Sequence, residues 1–210
     1  MKTKAVIFWF RRDLRLRDNK GLYNALKSNL PVIPLFVFDK HILGKLDKYD
    51  PRFQFIHQQI KILNNKTKKY GSRIINIHDY PVNAFKSLLS KYDIKSVYVN
   101  RDYEPYSIKR DSDVSSFLIQ YGVDFISFKD HVVFEKSEVV KKNGEPYKVY
   151  TPYSKIWLNK LKESKIIKYP SEKYLKKLYK FNFKSIISYD KIGFKNSGLF
   201  PSGITVNSVA

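Results

Sequence analysis

Two stretches of the chain, Ala5 to Phe10 and Val32 to Phe38, are almost unbroken apolar runs rather than alternations of apolar and polar residues. Continuous apolarity over so short a length predicts strands covered on both faces, the condition of a parallel sheet layered by helices. The first run ends abruptly in Arg11-Arg12-Asp13, and the charged segment continues to Asn19. Open parallel sheets bind ligands outside the carboxyl ends of their strands, so this junction is a site candidate on position alone.

Strand and helix signals alternate along the rest of the first ~130 residues, as βαβ units require. After the first strand, Asn19 and Lys20 lead into a helix near Gly21 to Ser28, and Asp39 closes the second strand. Asp50-Pro51-Arg52 fits a helix cap with proline in the first turn; Phe53, Ile56, Ile60 and Leu63 follow at helical spacing to about Tyr70. Arg73 to His78 is a third strand, and Pro81 opens a helix with Ala84, Phe85, Leu88 and Leu89 on one face. Ser96 to Asn100, a helix from Tyr106 to Tyr121, and Val123 to Phe128 complete the pattern, with Gly122 between the last two. From Val132 onward the periodicity weakens. Tyr153 to Lys162 reads as a short helix, and the remainder as a connector that wraps the sheet or leads away from it.

The 210 residues are 43% hydrophobic, enough for one real core, and contain no cysteine. Thiol catalysis, disulfides and cysteine-ligated metals are therefore excluded. The histidines His41, His57, His78 and His131 are far apart and form no helical pair at metal spacing. No glycine-rich phosphate loop follows a strand, and no Gly-x-Ser-x-Gly elbow is present. With no apolar run of membrane length, the expectation is a soluble, cytoplasmic protein without membrane contact. Forty Lys and Arg stand against 19 Asp and Glu, a formal charge of +21, which attracts polyanions. Lysine is spread along the whole chain, so the expected nucleic-acid contact is weak, non-specific and steeply salt-dependent.

Charged groups at strand ends remain. The loops after strands one, two and four share one edge of a doubly wound sheet, which brings Arg11, Asp39, Asp102 and Glu104 toward one cleft. Read alone, these residues fit two roles: arginines contacting a phosphate, carboxylate or flat aromatic ligand with carboxylates accepting from its NH or OH groups, or internal pairs that fix the loops. Asp13, Arg15 and Asp18 fit the second role.

The run Phe8-Trp9-Phe10-Arg11-Arg12-Asp13-Leu14-Arg15-Leu16-Arg17-Asp18-Asn19 resembles the opening signature of the DNA photolyase and cryptochrome family. Asn100-Arg101-Asp102-Tyr103-Glu104-Pro105-Tyr106, with Lys109-Arg110-Asp111, resembles its second N-terminal motif, and Tyr147-Lys148-Val149-Tyr150-Thr151-Pro152-Tyr153 its stretch near the start of the interdomain connector. The resemblance implies an α/β fold: a Rossmann-like, doubly wound, five-stranded parallel sheet with helices on both faces over residues 1–131, then an irregular connector over 132–210. It implies light-driven repair, in which reduced FAD donates an electron to a cyclobutane pyrimidine dimer, splits it and recovers the electron. In the family that chemistry belongs to a helical FAD-binding C-terminal domain, which is thus expected as a partner and absent from these residues, with damaged DNA engaged by the full-length protein.

What these residues match is the family's antenna domain, where a deazaflavin, a folate or a flavin mononucleotide passes excitation energy to FAD through space. That role needs no acid, base or nucleophile, and no catalytic residue is expected. By motif position Arg11, Asp102 and Glu104 match residues that contact a deazaflavin-type antenna in some members; Lys48 and Arg52 are added from the loop after strand two. Trp9 and Trp157 are read as packed aromatics. The alternative is a cryptochrome-type photoreceptor fragment or a free-standing flavin- or nucleotide-binding module.

Overall fold

The computed structural model describes residues 2–196, so the end of the expected connector, 197–210, lies outside the described residues. Its core is a sheet of five parallel strands: β1 Lys4–Phe10, β2 Val32–Asp39, β3 Ile75–Asp79, β4 Asp93–Asn100 and β5 Asp124–Phe128, in the order β3-β2-β1-β4-β5. The helices between them are α1 Lys20–Lys27, α2 Lys40–Leu43, α3 Pro51–Lys68, α4 Pro81–Lys91 and α5 Pro105–Ile119. The chain leaves β1 in one direction toward β3 and, after β3, returns to the other side of β1 through β4, so the order reverses between β1 and β4. That reversal opens a crevice at the carboxyl ends of β1 and β4.

Side chains alternate across a strand, so the near-continuous apolarity of β1 fills two cores at once. Val6, Phe8 and Phe10 pack on one face with Leu22, Leu26, Phe53 and Ile60 from α1 and α3. Ala5, Ile7 and Trp9 pack on the other with Ala84, Phe85, Val114 and Leu118 from α4 and α5. Every residue of β1 from Ala5 onward is at most 2% exposed. Pro34, which has no N–H to give a ladder, lies in β2 just before β3 begins to pair at Leu35.

The irregular tail wraps this sheet. Helix α6, Tyr150–Glu163, stands on the surface with no buried residue, its Trp157 edge-on to Phe134. The 3-10 helix Ser171–Lys177 then docks on α1: the Ser171 hydroxyl donates to the Leu16 carbonyl at 2.8 Å, and the Asn19 amide donates to that hydroxyl at 3.2 Å. Leu178 bridges Val32, the Tyr179 amide donates to the Val32 carbonyl at 2.7 Å, and the Phe181 amide to Gly71 at 2.9 Å. The strap thereby changes face. Leu175 and Leu178 join the α1/α3 core, Tyr179 and Phe181 the α4/α5 core, and Ile192 and Phe194 return to the first, past α7 Tyr189–Ile192. Phe194 stacks on Phe53 with ring centroids 3.8 Å apart.

Candidate functional site

The crevice between β1 and β4 is built on an amide. Asn100, the last residue of β4 and fully buried, accepts from the Gly21 amide at 2.8 Å and donates to Asp13 at 2.7 Å and to the Asn19 side chain at 2.9 Å. Asn19 in turn caps α1, its side-chain oxygen accepting from the Leu22 amide at 2.9 Å. Gly21 is required by contact: a Cβ there would sit 2.6 Å from the Asn100 side-chain oxygen and 2.9 Å from Phe8. Asp13 also accepts from the Arg11 amide at 2.9 Å, which turns the chain sharply out of β1. The loop is held further by Arg15, bonded to Asp130 at 2.5 Å, and by Asp18, whose side chain accepts from the Tyr169 amide at 2.7 Å. Asp13, Arg15 and Asp18 are thus bound within the protein.

On this frame sits a pocket of about 470 Å³. Its walls come from the ends of β1 (Trp9 to Arg12) and β2 (Phe36 to Asp39), from α2 and its following turn (Ile42, Leu43, Leu46), from α3 (Phe53, Ile56), and from the β4–α5 segment (Asp102, Glu104, Tyr106, Ser107, Arg110). The lining is mainly apolar with a few charged groups, buried in Arg11, Asp39, Asp102 and Arg110 and exposed in Arg12 and Glu104, the usual make-up of a small-molecule site. The rings of His41 and Tyr106 stack beside it, 4.7 Å apart and 8° from parallel. The Tyr106 hydroxyl donates to Asp39 at 2.5 Å. Burial, reinforced by that hydrogen bond and the Asp39 charge, pushes the phenol well above its ordinary range, so it remains a donor.

The structure brings Arg11, Asp39, Asp102 and Glu104 to this one pocket. Arg11 is 8% exposed, and its guanidinium bonds Asp111 and the Asn100 carbonyl. Burial lowers its pKa, opposed by Asp111. Among the described residues, the Arg11 Nε is the buried donor without a partner that lines this pocket. Burial would raise Asp102, but the Ser107 hydroxyl at 2.9 Å, Arg12 at 3.1 Å and the Glu104 amide outweigh it and hold the carboxyl below its ordinary value. Glu104 is exposed on the rim, 3.8 Å from Arg12.

Lys48 and Arg52 are not among the residues lining the pocket. Arg52 is exposed and clasps Asp50, the cap of α3, at 2.6 Å. Lys48 lies over Tyr49, and its carbonyl accepts from the Lys195 amide at 2.8 Å. Sequence reasoning did not single out Trp9, Tyr106 or Arg110 as wall residues. Trp9 packs edge-on against Phe85 while the guanidiniums of Arg11 and Arg110 approach its ring at 5.4 and 5.0 Å. The one-turn helix α2, which supplies Ile42 and Leu43, is too short for a periodic signal. The residue that could have revealed it is Asp39, which ends β2 and caps α2 by accepting from the His41 amide at 2.9 Å.

The DNA photolyase family model matches residues 6–172. Among curated relatives, the deoxyribodipyrimidine photo-lyase of a Synechococcus species is 32% identical over 152 residues, covering 72% of this chain and 31% of that protein. The deoxyribodipyrimidine photo-lyase of Agrobacterium fabrum is 32% identical over 155 residues, covering 73% of this chain and 31% of its own length. Among solved structures, a bacterial class III photolyase from Agrobacterium tumefaciens superposes with a TM-score of 0.72 at 26% identity, covering 91% of this chain and 38% of that one. The chain therefore spans about a third of the length of the curated relatives it matches.

Proposed function

The chain belongs to the DNA photolyase family, and on that premise we propose that it is the light-harvesting, antenna-binding part of a blue-light-driven photolyase that repairs cyclobutane pyrimidine dimers. The observation that carries this reading is the pocket at the β1/β4 reversal, lined by apolar side chains together with Arg11, Arg12, Asp102 and Glu104. A flat heteroaromatic chromophore suits it: the apolar walls take the ring faces, the rim carboxylates accept from ring NH or sugar-like hydroxyls, and the free Nε–H of Arg11 and the exposed guanidinium of Arg12 meet carbonyl or phosphate oxygens. When bound, such a group supplies light absorption and energy transfer through space. The protein's part is to hold it in a fixed orientation away from water.

On this reading residues 1–131 are the antenna unit and 132–210 the connector, and the FAD-dependent step belongs to the part of the relatives that this chain does not cover. Lys48 and Arg52 drop to at most outer contacts, since Arg52 is engaged by Asp50. The repair branch is preferred over a cryptochrome-type role because photo-lyases are 32% identical to the chain, against 25% for cryptochrome-1 sequences.

Fluorescence titration of the purified chain with a deazaflavin, flavin mononucleotide and a reduced folate tests the assignment. One of the three should saturate the protein at one-to-one stoichiometry. Asp102→Ala with Glu104→Ala should weaken it about tenfold or more, the size expected for one or two lost charge-assisted hydrogen bonds. Unchanged affinity in the double variant would remove those residues from the site.

A further inference from the structure

The charges of the molecule, evenly spread in sequence, are paired at one edge of the sheet and less so at part of the other. Asp13, Asp39, Asp102, Asp111 and Asp130 gather around the carboxyl ends of the strands, on or beside the pocket, and Arg11, Arg12, Arg15 and Arg110 pair there with three of them. On the opposite edge, the stretch where β2 begins and α1 and α3 end is basic, apart from Asp93 and Asp124, which open β4 and β5. There Lys176, Lys177 and Lys180 line a cleft of about 350 Å³ with Ser28 to Pro31 and Leu178, and no carboxylate lines it. At the end of α1 Lys27 lies over the Tyr174 ring at 4.8 Å; after α3 Lys69 lies over the ring of Tyr70 at 5.2 Å, and the Tyr70 carbonyl accepts from the Lys180 ammonium at 2.5 Å.

Helix ends explain only part of this. The exposed carbonyls at the ends of α1 and α3 favour a cation each, which Lys27 and Lys68 supply in the last turns. Lys176, Lys177 and Lys180 are additional, delivered from the far end of the chain, and like charges converging on one cleft repel unless an anion answers them. Nor are they a loose tail: Leu178 bridges Val32, and the Tyr179 and Phe181 amides are bonded to Val32 and Gly71, so the backbone that carries these lysines is fixed to the sheet.

We infer that this amino-terminal edge of the sheet is a docking surface for the phosphate backbone of duplex nucleic acid. Several exposed ammonium groups, each a point charge without a bidentate fork, spread over the ends of α1, α3 and the strap, match a row of phosphates better than a single anion. Such contacts position a duplex and read no sequence. Because the surface lies on the opposite edge from the pocket, occupancy of one site leaves the other free. The inference stands independently of what the pocket binds.

The test is fluorescence anisotropy of a labelled duplex of about 20 base pairs with the full 210-residue chain, over a salt series. Lys176→Glu with Lys177→Glu should weaken binding about tenfold or more and reduce the salt slope by about two, near 0.9 per phosphate released. Lys155→Glu with Lys162→Glu on α6 changes the net charge equally and should leave the slope in place. Lys176→Gln with Lys177→Gln, a smaller charge change at the same positions, should give an intermediate loss with an unaltered melting temperature. Equal losses from the two glutamate pairs would overturn the inference in favour of diffuse charge. So would stronger binding to phosphatidylserine vesicles than to the duplex, or no duplex binding at low salt.

Discussion

At the scale of single residues, the site is framed by a side chain that does not line the pocket. Asn100 joins the end of β4 to the loop after β1 and to the start of α1 by three hydrogen bonds, all buried. Asn100→Ala would strand the Gly21 amide and part of the Asp13 and Asn19 bonding capacity, at a cost of about 2–4 kcal/mol. Urea unfolding should show that loss, and an unchanged midpoint would contradict the hub role. Asp102 gives a pH signature. Its folded pKa lies below the unfolded value near ~4, so its stabilising contribution is complete above that pH and disappears as pH falls through the folded value. Wild type should therefore exceed Asp102→Asn in stability at neutral pH, and the gap should narrow below about pH 4; a gap that widens on acidification would reverse the assignment. The sequence made Arg11, Asp102 and Glu104 visible because charges follow apolar strands there. It placed Asn100 at a strand end but not as a hub, since its partners Asp13, Asn19 and Gly21 lie some eighty residues away in the chain.

At the scale of elements, the five strands and the four longer helices between them were legible because each carries a period or an unbroken apolar run. The strap was not. Leu175, Leu178, Tyr179, Phe181, Ile192 and Phe194 are deployed on both faces of the sheet with no repeat to betray them. Their packing is nonetheless core packing: Leu175 is 3% exposed, and Leu175→Ala should cost about 2–5 kcal/mol. A loss below about half a kcal/mol, the range of surface substitutions, would mean the strap is not part of the cooperative unit. His57 on α3 pins the strap from the other side, its Nε2 2.7 Å from the Ile187 carbonyl and its ring against Phe53 and Tyr189. Burial, with the Lys61 charge, lowers its pKa despite that hydrogen bond. The neutral ring is thus the folded form, and the strap's hold is complete above the unfolded value near ~6.5 and weakens as pH falls toward the lower folded one. Hydrogen exchange at the Ile187 amide should quicken between about pH 7.5 and 5.5 in wild type, after correction for intrinsic rates, and not in His57→Gln. Equal behaviour of the two proteins would place the pH response elsewhere.

At the scale of the whole molecule, the two proposed sites lie on opposite edges of one sheet. The carboxyl edge carries the apolar pocket with its charged rim; the amino edge carries the lysines that sequence alone presents as evenly dispersed. That dispersion concealed the second edge, because Lys176, Lys177 and Lys180 meet Ser28 to Pro31 only once the strap has closed on α1. Among the described residues no helix is long and apolar enough to cross a membrane. The reading of the chain as an antenna unit also sets a limit on its chemistry: with FAD added and under blue light, the 210 residues should repair no thymine dimers in a chromatographic assay, and any turnover would contradict it. The central claim is that the pocket holds a flat chromophore in one orientation, and visible circular dichroism reads this directly. With a deazaflavin, flavin mononucleotide or reduced folate present, an induced band should appear in the chromophore's absorption region and vanish in Leu43→Trp, which fills the pocket wall. No induced band with any of the three, or a band that survives Leu43→Trp, would contradict it.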